Sequence, residues 1–184
     1  GNPYAGVTHP DGAFSLPSGT YSGNDGTTSA GVRGTGDLIY LTEEGISGSG
    51  TLADLGVPYR LDGDLVVGGG PGKELVVEDG VEVQVKGGSE VRLGTLGAVK
   101  LTLGTEDGAG VTFGPASPGA RWDTLVFGTA LAAESAFYGV RVSEAGRSGS
   151  GSAGWLAAGW LAGDVLSAVS PRPGQVSSRA QSRA

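Results

Sequence analysis

The sequence predicts an all-β protein wound as a parallel solenoid. Three observations lead there: 37 glycines in 184 residues, apolar residues at every second position over short runs, and a match of the chain to itself at a shift of 26 positions. Glycine occurs at nearly three times its ordinary share. In a helix interior it costs roughly 1 kcal/mol against alanine, which excludes coiled coils and helical bundles. The glycines keep no three-residue period, which excludes collagen.

In chain order, residues 1–56 are short apolar patches between Gly, Ser, Thr and Asn, as at Tyr21-Ser22-Gly23-Asn24-Asp25-Gly26. They predict an irregular cap of loops with two or three strands. Residues 57–146 alternate regularly. Successive side chains of a strand point to opposite faces, so the alternation predicts strands at Leu65–Val67, Leu75–Val77, Val81–Val85, Val91–Leu93, Val99–Leu103, Val111–Phe113, Leu125–Phe127 and Val140–Val142. Gly, Asp or Pro follows most of these runs and marks corners, as at Gly68, Asp79-Gly80, Gly94, Gly104 and Gly114-Pro115.

The shift of 26 places Leu65 on Val91, Val67 on Leu93, Leu75 on Leu101, Val77 on Leu103, Val85 on Val111, Val99 on Leu125 and Leu101 on Phe127. Three short strands fit within it. The simplest geometry is therefore a coil that climbs one strand spacing, about 4.8 Å, per turn, with about three coils legible. The outward set, Glu82, Gln84, Arg92, Lys100, Thr102, Thr112 and Arg141, is mostly polar. An antiparallel sandwich is the alternative, with longer strands joined by tight hairpins.

Residues 147–184 depart from this pattern. Ser148-Gly149-Ser150-Gly151-Ser152 is a linker, and beyond it Leu156, Trp160 and Gly163 share one helical stripe, which predicts a short amphipathic cap helix. A remnant of a longer protein is the alternative. From about Pro171 the tail is basic, free of acids and aperiodic, which predicts partial disorder. At the other end, Gly1-Asn2-Pro3-Tyr4 looks like the cut end of a longer or processed chain. The most apolar stretch, 155–169, is short of the roughly 20 residues a bilayer requires and carries Asp164, so no membrane span is predicted.

Composition closes off several chemistries. There is no cysteine for a disulfide, a thiolate nucleophile or a sulfur-ligated metal, and His9 is the one histidine. A net charge of -7 argues against a nucleic-acid partner.

The run Gly56-Val57-Pro58-Tyr59-Arg60-Leu61-Asp62-Gly63-Asp64-Leu65-Val66-Val67, with Glu74-Leu75-Val76-Val77-Glu78-Asp79-Gly80-Val81-Glu82-Val83 after it, resembles the opening coils of bacterial extracellular right-handed parallel β-helix proteins of the pectin-lyase-like kind. Arg121-Trp122-Asp123-Thr124-Leu125-Val126-Phe127 looks like a later motif of that family, and 137–146 is similar to the strand that follows it. The resemblance spans about 57–146. It implies a right-handed coil and a secreted or cell-surface location, in an architecture that hosts adhesins, surface-layer components and polysaccharide-cleaving enzymes. A weaker likeness joins 8–21 to a segment of carboxypeptidase-regulatory-like β-sandwich modules. A turn and edge strand covering the solenoid end is the simpler reading.

Candidate sites follow from these corners and rings. Tyr59, Trp122 and Tyr138, with Tyr40, are candidates for stacking on sugar rings, while Trp122 also fits a role sealing the core edge. Asp62, Asp64, Glu78 and Asp79 are candidate calcium ligands. The same residues are ordinary in turns, and the 26-residue shift carries Asp62 to Gly88 and Asp79 to Thr105, so they do not stack into an acidic row. No Gly-x-Ser-x-Gly elbow surrounds His9, and a strand rather than a helix follows the glycine-rich run 68–73, so neither a hydrolase triad nor a phosphate loop is read there. No catalytic residue is assigned. The expected function is a non-catalytic secreted or cell-surface module, a rigid or adhesive surface with weak contact to a polysaccharide or glycan. A polysaccharide lyase or glycoside hydrolase, and a fragment that self-associates through an open coil end, are the alternatives.

Overall fold

The computed structural model describes residues 6–8, 16–22, 37–41, 45–46, 48–128, 131–132, 134–146, 155–157 and 166–168. Every regular element among them is a strand. In chain order these are β1 (Gly6–Thr8), β2 (Ile39–Leu41), β3 (Gly45–Ile46), β4 (Gly50–Leu52), β5 (Tyr59–Leu61), β6 (Leu65–Val67), β7 (Glu74–Val77) and β8 (Glu82–Val85). They continue with β9 (Glu90–Leu93), β10 (Lys100–Leu103), β11 (Thr112–Pro115), β12 (Thr124–Phe127), β13 (Ala136–Phe137), β14 (Val140–Val142), β15 (Trp155–Ala157) and β16 (Leu166–Ala168). No helix among the described residues is long and apolar enough to cross a membrane.

The strands form three sheets, ordered β1-β2-β5-β8-β11-β14-β16, β15-β12-β9-β6-β3 and β13-β10-β7-β4. We call them the first, second and third. From β2 to β15 the chain visits the three in strict rotation, and each strand from β2 to β12 pairs in parallel with the strand three places on. A parallel neighbour cannot be reached by a tight hairpin, so the connection must pass elsewhere before returning. Here the two intervening strands are that connection.

Period-two burial follows the sequence pattern. Leu75 and Val77 in β7, Leu101 and Leu103 in β10, and Val91 and Leu93 in β9 are buried, while Val76, Thr102 and Arg92 between them face outward. Parallel register places like on like: Leu75 beside Leu101, Leu65 beside Val91 and Val91 beside Leu125, and Ile39, Tyr59, Val83 and Phe113 successively along one row. These columns make one hydrophobic cluster. Phe127 and Phe137 close it edge to face, with ring centroids 4.9 Å apart.

Corner side chains also tie together strand ends that lie 25 or 26 positions apart. Asp64 Oδ1 accepts the backbone N–H of Glu90 at 2.8 Å, and Ser49 Oγ accepts that of Glu74 at 3.1 Å. Inside the fold, Ser135 Oγ takes the N–H of Leu101 at 3.0 Å. Main chain closely approaches main chain at Gly94 and Gly128. The Gly128 N–H donates to Leu93 O at 2.7 Å, and a Cβ on Gly128 would lie 2.2 Å from Gly94 O. Only glycine fits there.

Three expectations are corrected. The 26-residue repeat holds for Leu65, Val67, Leu75 and Val77, but Val85 lies beside Pro115 rather than Val111. Leu125 lies beside Val91 rather than Val99, and Phe127 beside Leu93 rather than Leu101. The corners at 104–111 and 116–123 are longer than the matching corners at 78–81 and 86–89, so the offset grows to 30 and then 34. Where a cap helix was expected, β15 pairs with β12 and β16 with β14. An open parallel edge offers these residues backbone partners, and that pairing overrides their local helical stripe. Third, pairing begins upstream of residue 57, since β2, β3 and β4 join the same three sheets as the later strands. The tail beyond Pro171 and His9 lie outside the described residues.

Candidate functional site

The four candidate aromatic residues fall in four different places. Tyr59 opens β5 with its ring inward, 1% exposed, and its hydroxyl donates to Ala53 O at 2.8 Å. Burial, reinforced by the charge of Glu78, pushes its phenol up to about 12. Trp122, also 1% exposed, lies just before β12, and its indole N–H donates to Ser143 O at 2.8 Å. Neither ring offers a face to a sugar, so the stacking expected of them gives way to core packing. Period-two alternation already marks Tyr59 as inward, in register with Ile39 and Val83. Tyr138 is half-buried in the corner after β13, and Tyr40 is half-buried on the outer face of the first sheet.

The four candidate carboxylates divide between two corners. Asp62 and Asp64 lie between the first and second sheets, Glu78 and Asp79 between the third and first. Asp62 pairs with Arg60 Nε at 3.2 Å, and Arg60 also donates to Ala116 O. Glu78 Oε2 accepts the N–H of Asp54 at 3.0 Å. Asp79 is the most heavily bonded: Oδ1 accepts the N–H groups of Thr105 at 3.0 Å and Gly110 at 3.1 Å, and Oδ2 accepts the Thr105 hydroxyl. The Thr105 hydroxyl first, then the two backbone donors, hold its carboxyl below the usual range. Asp62 thus serves an ion pair and Asp64, Glu78 and Asp79 accept main-chain N–H groups, and among the described residues no group of three or more His, Asp or Glu converges as a metal site would require.

An open concavity among the described residues lies elsewhere, a groove of about 440 Å³ at the corner between the second and third sheets. Its floor is Pro71, Ala98, Val99 and Ala132, and its charged rim is Lys73, Glu74, Lys100 and Glu134. Lys100 Nζ meets Glu74 at 2.8 Å across adjacent strands, and this bond, with the Glu74 and Glu134 charges, raises the Lys100 ammonium above its ordinary value. Sequence reasoning passed over this groove. The signal was available, because the same 26-residue shift that stacks Leu75 on Leu101 carries Glu74 to Lys100.

Comparison with protein-family models, curated proteins and solved structures finds no match to this chain.

Proposed function

We propose that this chain is a segment of a right-handed parallel β-helix, pectin-lyase-like in architecture, that serves outside the cell or at its surface as a non-catalytic rigid or adhesive module. The observation that carries this reading is the rotation of short parallel strands through three sheets with inward side chains in register. Strand-to-strand connections between parallel neighbours are overwhelmingly right-handed, which supplies the hand. Each circuit bonds to the next through backbone ladders and corner side chains, a construction suited to holding a surface rigid.

The outer faces mix polar and charged side chains such as Arg92 and Thr102 with Val66, Val76 and Val126, and the groove above Val99 joins an apolar floor to a rim of two lysines and two glutamates. Weak glycan contact belongs there, with a sugar's C–H face on the floor and its hydroxyls on the rim. Incubation with a panel of neutral and acidic polysaccharides in the presence of calcium tests the reading. Retention of a glycan without chain cleavage, weakened by Lys73→Ala and Glu134→Ala, agrees with it. New reducing ends or unsaturated products would overturn the non-catalytic assignment in favour of a lyase or hydrolase.

A further inference from the structure

Five Asp-Gly steps occur in the chain, and three lie among the described residues: Asp62-Gly63, Asp79-Gly80 and Asp107-Gly108. At such a step the absence of a Cβ on glycine lets the following backbone nitrogen approach the aspartate carboxyl with least hindrance. The three differ sharply in restraint. At Asp79 both carboxylate oxygens are bonded, and the Gly80 N–H is itself committed to Gly110 O at 2.9 Å. Asp62 is half-buried and paired with Arg60. Asp107 is exposed within a turn whose residues 105–109 are all exposed, and among the described residues its carboxylate has no hydrogen bond or ion pair. A single 3.1 Å bond to Thr105 O restrains the Gly108 N–H.

We infer that Asp107 is a site of isoaspartate formation, and that this modification releases the Asp79 corner. The Gly108 nitrogen attacks Asp107 Cγ, its proton leaves with the carboxyl hydroxyl as water, and a five-membered succinimide closes. Water then reopens the ring at either carbonyl. Attack at Cγ restores aspartate, and attack at the former main-chain carbonyl leaves the peptide link running through Cγ. No oxidant or cofactor enters, and the mass is that of the original chain.

The consequence is set by geometry. Gly108 lies so close to Asp79 that a Cβ on it would fall 2.1 Å from the carboxylate, and the partners of that carboxylate, Thr105 and Gly110, flank the reacting step. Isomerisation inserts one methylene into the backbone between them. Thr105 and Gly110 can then no longer both reach Asp79 in their present register.

The test is ageing of the full chain at physiological temperature and neutral pH, with peptide separation and methyl transfer by an isoaspartyl methyltransferase to locate the product. Isoaspartate should accumulate about tenfold faster at Asp107 than at Asp79, the factor for a barrier difference of roughly 1.4 kcal/mol, and faster than at Asp62. Equal rates at the three steps, a preference for Asp79 or Asp62, or no product at Asp107 would overturn the assignment. Asp107→Glu should abolish accumulation at this position while leaving the protein folded. Chains modified at Asp107 should melt in acid like Asp79→Ala rather than like fresh protein. Acid melting unchanged by the modification would overturn the release of the corner.

Discussion

The carboxylate of Asp79 accepts the backbone N–H of Thr105 at 3.0 Å, from a residue 26 positions further along the chain. Asp64 stands in the same relation to Glu90, also 26 positions on. An acidic corner residue thus serves as the hydrogen-bond acceptor of the strand end stacked on it, and this accounts for acids that resemble metal ligands in the sequence.

Asp79→Ala should lower stability by about 1–2 kcal/mol at neutral pH, since it strands donors that solvent only partly satisfies. Because the folded carboxyl lies below its unfolded value near 4, the contribution is complete above that value and fades as pH falls through the lower folded one. Urea melts from neutral pH into acid should steepen in wild type below about pH 4 and flatten in Asp79→Ala. Parallel curves would show that Asp79 is not coupled to folding.

Tyr59 contributes stability that alkali removes. Its folded phenol titrates at about 12 against an ordinary value of 10.0, so its stabilisation is whole below pH 10 and lost as pH rises through 12. Tyr59→Phe should remove that slope, and ultraviolet titration should show one tyrosine ionising later than the rest.

Leu101 is 0% exposed, between Leu75 and the Ser135 corner. Leu101→Ala should cost about 2–5 kcal/mol in denaturant unfolding. Leu96, 70% exposed, is the control: Leu96→Ala should stay within about 0.5 kcal/mol. A similar loss at both positions would deny Leu101 its place in the core.

Gly128→Ala drives a methyl group onto the Gly94 carbonyl, main chain against main chain, where no side chain can swing away. A loss of about 1–3 kcal/mol is expected. Gly119→Ala has open space around its added methyl but a φ of +74°, so it should show the smaller cost of backbone strain alone.

Strand positions were legible because alternation is local: a chain that places Leu101 and Leu103 inward must place Thr102 outward whatever its neighbours do. Register was legible only where corners keep equal length. Leu75 finds Leu101 by a constant shift, whereas Leu125 finds Val91 only after two corners have each lengthened, and nothing local announces which corner absorbs an insertion. Likewise Tyr59 and Trp122 have the composition of a sugar platform, and whether a ring stands outside or inside depends on what stacks above and below it.

From composition and period alone came the all-β character, the short strands, the corners and the aliphatic columns, since these depend on backbone geometry and on neighbours two residues away. Tertiary pairing decided the rest: the offsets of 30 and 34, the strands in place of a helix at Trp155–Ala157 and Leu166–Ala168, the burial of the rings, and the engagement of the acids by main chain. Those outcomes depend on partners some 20 to 34 residues distant, and a contact across that separation is determined by how much chain the intervening corners consume.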